Sequence, residues 1–454
     1  SDSAQVGDFL HRRMHSEALA EWQALGGAGM ASLGRVALAT LLSCVGGVAQ
    51  VVLNHSASYV LSTDVDVDGL ADVLLFDGQS VHVQFGTSQS PYFRQGPSTA
   101  VPSTRRACEP VISGRYFWLA SLGALPSQIG WLDAWRIEPT GALVQVVTYP
   151  LPVATTTGEI ISLSIAPLAF DFGNDGNDDV VAVWSEVPRV PTSSVRAAWF
   201  SPLRQSMVVD FPPIPAVMQH HTIVGLHQTE NVAQSPDEHL LVIAPPPFPN
   251  HRGIVFARIG RGLYAPTFAG EVTFTMAPLV RYRGFYDERA RSVYGRFAPT
   301  PALASLAVHF MDGPTVAFDP LPGPPFVHAS GSWLDTSISA ALLTNAVADF
   351  DGDGADEIVL IDSLPGIGDV LVVTDPMPQS REFQAFWYPP GNWSVANHFW
   401  PFHVVHAAPA DVNGDGLVDL VASVRETAST SRLSLFLGVR STRSLRRAEL
   451  VRMF

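Results

Sequence analysis

Four segments of this chain repeat one spacing of acidic residues, and that repeat limits the fold more than any other feature. They read Asp64-Val-Asp66-Val-Asp68-Gly69-Leu70-Ala-Asp72, Asp171-Phe-Gly173-Asn-Asp175-Gly176-Asn177-Asp-Asp179, Asp349-Phe-Asp351-Gly-Asp353-Gly354-Ala355-Asp-Glu357 and Asp411-Val-Asn413-Gly-Asp415-Gly416-Leu417-Val-Asp419. The shared form is D-x-D-x-D-G-x-x-[DE]. An apolar β-type run follows each segment at once, and apolar residues such as Val404 to Ala410 come before it. Each segment is therefore expected to be a loop between two strands. The 36 glycines and 36 prolines suit many short strands and turns better than long helices.

The spacing carries a chemistry. Side-chain oxygens at loop positions one, three and five turn toward one point, and glycine at position six allows the sharp turn. A backbone carbonyl at position seven and a carboxylate at position nine complete an oxygen shell. The expected donors are Asp64, Asp66, Asp68, Leu70 and Asp72 in the first loop, and Asp171, Asp175, Asn177 and Asp179 in the second. Asp349, Asp351, Asp353, Ala355 and Glu357 form the third set, and Asp411, Asn413, Asp415, Leu417 and Asp419 the fourth. Hard oxygen donors without thiolates or imidazoles favour Ca²⁺ over Zn²⁺ or Mg²⁺. An EF-hand starts alike but needs Glu at position twelve and flanking helices. The loop at Asp171 has Gly173 at its third position, so it offers one side-chain donor fewer and is expected to bind most weakly.

Position nine falls at 72, 179, 357 and 419, at multiples of a unit in the size range of a propeller blade. Degenerate copies fill the intervals near residues 128, 239 and 305, so seven repeats are expected. On these residues the chain resembles the FG-GAP/VCBS repeat family, the seven-bladed β-propellers of integrin α subunits and many bacterial surface proteins. The resemblance covers about residues 50–454; Phe85-Gly86 matches the Phe-Gly element of that family, which is weakened to Leu437-Gly438 in the last repeat. It implies an all-β fold with four antiparallel strands per blade. It also implies a calcium loop between the inner two strands, metals on one rim, and recognition on the other face or the longer connections.

Charge and composition narrow the partners. The net charge is −15, with 27 basic and 42 acidic residues, which argues against nucleic acid as the ligand. All the basic residues are Arg, so no mechanism can use a catalytic Lys. Only Cys44 and Cys108 are present, which excludes a disulfide framework and a thiolate-rich zinc site.

Residues 1–49 read as an N-terminal extension. Within 30–49, Met30, Arg35 and the apolar Val36 to Leu42 have the order of a secretion signal. Leu41-Leu42-Ser43-Cys44 resembles a bacterial lipobox with Cys44 as the lipidated residue, whereas Gly47-Val48-Ala49 fits ordinary signal-peptidase cleavage. Upstream, Phe9, Leu10, Met14, Ala18 and Trp22 have near-helical spacing.

Asp133, His220, His221, His227, His403 and His406 lack any recognisable ligand spacing, and no catalytic motif is found. Two further stretches are candidate contact surfaces: the aromatic segment Phe386 to Trp400 and the basic–aromatic segment Arg281 to Arg291. The expected function is an exported calcium-binding scaffold, extracellular or at the cell surface. Its expected partner is a protein or a glycan. A polysaccharide-active enzyme and a component of a larger extracellular assembly are the alternatives, and fold alone does not separate them.

Overall fold

The computed structural model describes the strands between residues 49 and 438. It also describes residues 64–71, 77–79, 87–89, 92, 101, 105, 114–115, 123, 129, 138–142, 151–152, 168, 174, 176, 179, 201–206, 208, 296–297, 349–350, 354–356, 411–418 and 437–438. Among these residues the fold is all-β, and no helix is long and apolar enough to cross a membrane.

Among the described residues the strands pair into seven four-stranded antiparallel sheets. Sheet one runs in chain order through Tyr59–Thr63, Asp72–Phe76, Ser80–Gly86 and Phe93–Ala100. Sheets two to six repeat this meander, beginning at Arg106–Ser113, Glu159–Pro167, Thr222–Thr229, Arg291–Gly295 and Ala341–Ala348. Sheet seven differs. Val404–Ala410, Asp419–Arg425 and Ser431–Phe436 supply three strands, and the outer fourth is Ala49–Leu53 from the start of the fold. The first strands of consecutive sheets pack on one another in order, and the first strand of sheet seven packs on that of sheet one.

The burial pattern explains the strand sequences. In Asp72–Phe76 every residue is buried, with alternate residues serving opposite faces. Val73 and Leu75 join Ala408, Val421, Leu433 and Leu435 of sheet seven. Leu74 and Phe76 join Phe117, Leu119 and Trp135 of sheet two. Trp118 and Leu132 of sheet two meet Ile165 and Trp184 of sheet three in the same way. A second strand sandwiched between two neighbours must therefore be apolar on both faces, which is why it reads as a continuous apolar run. The outer strands Phe93–Ala100 and Leu143–Pro150 are more exposed; the first is mostly polar or small, and the second leaves Val144 and Val146 exposed.

Six of the seven expected second strands begin where the repeat spacing puts them, to within one residue. The exception is the one expected near residue 128. That position lies between Tyr116–Leu122 and Gly130–Ile137, the second and third strands of sheet two. The second strand there begins at Tyr116, after a two-residue turn whose Gly114 has φ 55°. So tight a hairpin leaves no acidic loop to mark the junction. Cys44, the segment 30–48, the upstream residues Phe9 to Trp22, His220, His221, His403 and most of the two candidate contact stretches lie outside the described residues. Cys108 is in a strand, but its side chain is outside the description.

Candidate functional site

The acidic segments join the first strand of a sheet to its second, at sheets one, three, six and seven, and each loop takes the number of its sheet. Those of sheets one and seven are described throughout. Asp171, Gly173, Asp175, Asn177, Asp351 and Asp353 lie outside the described residues. Position-six glycine has a left-handed backbone in all four loops, with φ of +89° at Gly69, +82° at Gly176, +90° at Gly354 and +79° at Gly416. Open space surrounds each, so the glycine is required by backbone conformation and not by packing. The position-one carboxylate caps that turn by accepting the position-six N–H: Gly69 to Asp64 Oδ2 at 3.0 Å, Gly354 to Asp349 Oδ2 at 2.9 Å and Gly416 to Asp411 Oδ2 at 3.0 Å.

Position four also turns left-handed in the three loops where it is described. Gly414 (φ 74°) and Asn174 (φ 53°) are suited to this, but loop one uses Val67 at φ 63°. A β-branched residue there costs about 1–2 kcal/mol, and Val67 is largely exposed. Val67→Gly is expected to raise the unfolding free energy by about 1 kcal/mol, measured from denaturant midpoints at constant m. An unchanged or lowered midpoint would show that the left-handed turn costs nothing here.

Position nine does more than the spacing implies. Asp72 is fully buried. Its Oδ2 accepts the Val65 N–H at 2.7 Å, and its Oδ1 accepts the Gly86 N–H at 2.7 Å. Asp419 repeats this with Val412 at 3.0 Å and Gly438 at 2.8 Å, and Glu357 takes the Phe350 N–H at 2.7 Å. The carboxylate thus pins its own loop to the end of the third strand. This gives the Phe-Gly element its role. Gly86 ends that strand and Gly438 follows its end by two residues; both donate to position nine, and a Cβ on either would stand 2.5 Å from a backbone carbonyl oxygen. Burial, the largest influence, pushes the Asp72 carboxyl up to about 6 and the Asp419 carboxyl up to about 7, although these backbone donors pull the other way.

In loop one, one carboxylate oxygen each from Asp64, Asp66 and Asp72 lies within 4.8 Å of the others, a triad able to hold a metal ion. Asp66 Oδ1 is shut off from solvent and has no hydrogen-bond partner among the described residues. Asp66 Oδ2 lies 3.6 Å from Arg94 Nη2, and the Arg94 guanidinium rests 4.3 Å above the Phe85 ring. A buried carboxylate oxygen without a donor is costly. A hard cation shared with Asp64 and Asp72 removes that cost, so the residues present fit such an ion. Asp68 is not in the triad; its Oδ1 accepts the Leu70 N–H at 2.9 Å.

Loop seven ties its oxygens to its own chain. Asp411 accepts the Gly414 and Gly416 N–H groups, Asn413 Oδ1 accepts that of Asp415, and Asp415 Oδ1 accepts that of Leu417. Asp415 and Asp411 both raise the pKa of Asp419, so like charges crowd this loop as well.

Other candidate chemistry is dispersed or engaged. Asp133, in sheet two, accepts from Arg105, Gln145 and Thr148. His406, in sheet seven, accepts the Val60 N–H at Nδ1, 3.0 Å away.

No protein-family model and no curated protein matches this chain. Solved structures do resemble it. BBS1N in complex with ARL6DN aligns at TM-score 0.46 and 13% identity, over 88% of this chain and 96% of that one. The periplasmic gluconolactonase PpgL of Pseudomonas aeruginosa aligns at TM-score 0.43 and 14% identity, over 73% and 86%. The exotype rhamnogalacturonan lyase YesX aligns at TM-score 0.44 and 12% identity, over 85% and 73%.

Proposed function

We propose that this chain is a calcium-stabilised seven-bladed β-propeller of the FG-GAP/VCBS type, serving as an exported binding scaffold for a protein or glycan. The observation that carries the calcium reading is the loop-one triad of Asp64, Asp66 and Asp72, with a buried Asp66 oxygen that no donor among the described residues satisfies. The order of first-strand contacts, from sheet one round to sheet seven and back, supports a closed ring. The ion's work is structural. It neutralises clustered carboxylates and holds loops with little apolar core of their own. The rim loops are thereby fixed, which leaves the opposite face and the longer connections for recognition. Export fits the signal-like segment 30–49, with Cys44 as the residue for a lipid anchor.

Thermal unfolding in calcium and in chelator tests the stabilising role. Calcium is expected to raise the midpoint by several degrees, because it binds only the folded loops. The sign of the pH dependence follows from the buried carboxyls. Asp72 and Asp419 hold their protons more tightly folded than unfolded. Without metal, their contribution favours folding below about pH 4 and is lost as pH rises through about 6 to 7. Calcium needs the ionised form, so the gap between the two melts should widen from pH 5 to pH 8. Coincident melts at pH 8 would remove the stabilising role.

A further inference from the structure

The acidic loops of sheets one and seven touch across the seam where these two sheets meet. The Ala71 N–H donates to the Asp411 carbonyl oxygen at 3.0 Å. Ala71 stands between Leu70 and Asp72, two expected donors of loop one, and Asp411 is the first donor of loop seven. Leu70 Cδ2 occupies the space beside Gly414, 2.6 Å from where a Cβ would be. Gly86, whose N–H holds Asp72, sits between the Ala71 and Val412 carbonyls, at 2.5 and 3.2 Å from its own would-be Cβ. A backbone hydrogen bond, a side chain and a shared glycine thus join the two loops.

Loop six is arranged otherwise. Its Asp356 N–H goes to the Arg296 carbonyl of sheet five at 2.6 Å, and its Asp356 carboxylate takes the Arg296 N–H at 2.6 Å. Sheet five carries no acidic loop, so this contact ends in a segment with no metal ligands.

From this juxtaposition we infer that loops one and seven bind calcium as a coupled pair, each ordering the backbone that carries the other's ligands. The inference rests on the calcium reading above. An ion in loop seven fixes Asp411 and so the acceptor for Ala71 N–H. That holds Leu70 and Asp72 in place before loop one is filled. The order–disorder cost is then met once for two ions, which is positive cooperativity. It also makes the seam, where the acidic loops of the first and last sheets meet, the part of the ring most dependent on calcium.

Hydrogen–deuterium exchange of the full chain across a calcium series tests this, since peptides over residues 62–76 and 409–424 report the two loops separately. Asp415→Asn weakens loop seven and leaves the Asp411 carbonyl in place. It is expected to move the calcium midpoint for protection of loop one upward at least about fivefold. Asp66→Asn should move the loop-seven midpoint by the same factor, because linkage is reciprocal. Asp175→Asn, in the distant loop of sheet three, should move neither. Calcium protection of both loops with midpoints that ignore substitutions in the partner loop would overturn the coupling and leave the calcium reading intact. No calcium protection in the unsubstituted chain would overturn both.

Discussion

Deletion of Ala49–Leu53 is expected to cost on the order of 3–5 kcal/mol and to leave an aggregation-prone chain. This strand pairs in register with Ser431–Phe436, from Ala49 opposite Leu435 to Leu53 opposite Ser431. Without it, Ser431–Phe436 becomes a free sheet edge, while its Leu433 and Leu435 still need cover. The loss also falls at the seam, where Ser62 Oγ donates to the Pro409 carbonyl and Val60 N–H to His406. Denaturant unfolding and size-exclusion chromatography of the truncated chain measure both effects. An unchanged midpoint would show that sheet seven stands on three strands without Ala49–Leu53.

Gly86→Ala is expected to destabilise by about 3 kcal/mol, with Gly438→Ala close behind. The added methyl at residue 86 would stand 2.5 Å from the Ala71 oxygen and 3.2 Å from that of Val412. Both are backbone atoms of different sheets, so neither can swing away as a side chain would. Relief requires parting the seam or withdrawing the Gly86 N–H from Asp72, which orphans a buried carboxylate oxygen. Gly69→Ala is the comparison. Nothing lies within 4 Å of its would-be Cβ, and only its left-handed backbone is strained, a cost of about 1 kcal/mol. Denaturant midpoints should therefore rank Gly86→Ala well below Gly69→Ala. The reverse order would mean that the glycines mark turns alone and not the packing of loop against strand.

The acidic repeat made the loop positions legible because a left-handed turn and a buried carboxylate each admit few residue types. Gly69, Gly176, Gly354 and Gly416 announce the turn, and Asp72, Asp179, Glu357 and Asp419 announce the second strand. The apolar run after each of those residues reflects burial on both faces. Sheet two escaped this reading because its hairpin at Gly114 needs no metal and carries no acidic signature. The seam strand Ala49–Leu53 escaped because its partner, Ser431–Phe436, lies in the last sheet, a long-range contact that local pattern does not encode. Two features of the site were visible without their roles. Gly86 and Gly438 stood out only as half of a Phe-Gly element, yet they donate to position nine. Asp68 has the spacing of a ligand but turns to the Leu70 N–H, because a short carboxylate competes for nearby backbone donors.

The central claim is that these loops hold calcium, and counting bound ions tests it most directly. Equilibrium dialysis at saturating calcium, followed by elemental analysis, is predicted to find about four ions per chain, one for each loop. The loop at Asp171 should empty first as calcium falls. Asp64→Asn/Asp66→Asn should remove at least one ion while leaving the β-sheet circular dichroism unchanged. A folded chain that retains no calcium, or one whose count is the same with and without Asp64 and Asp66, would contradict the account.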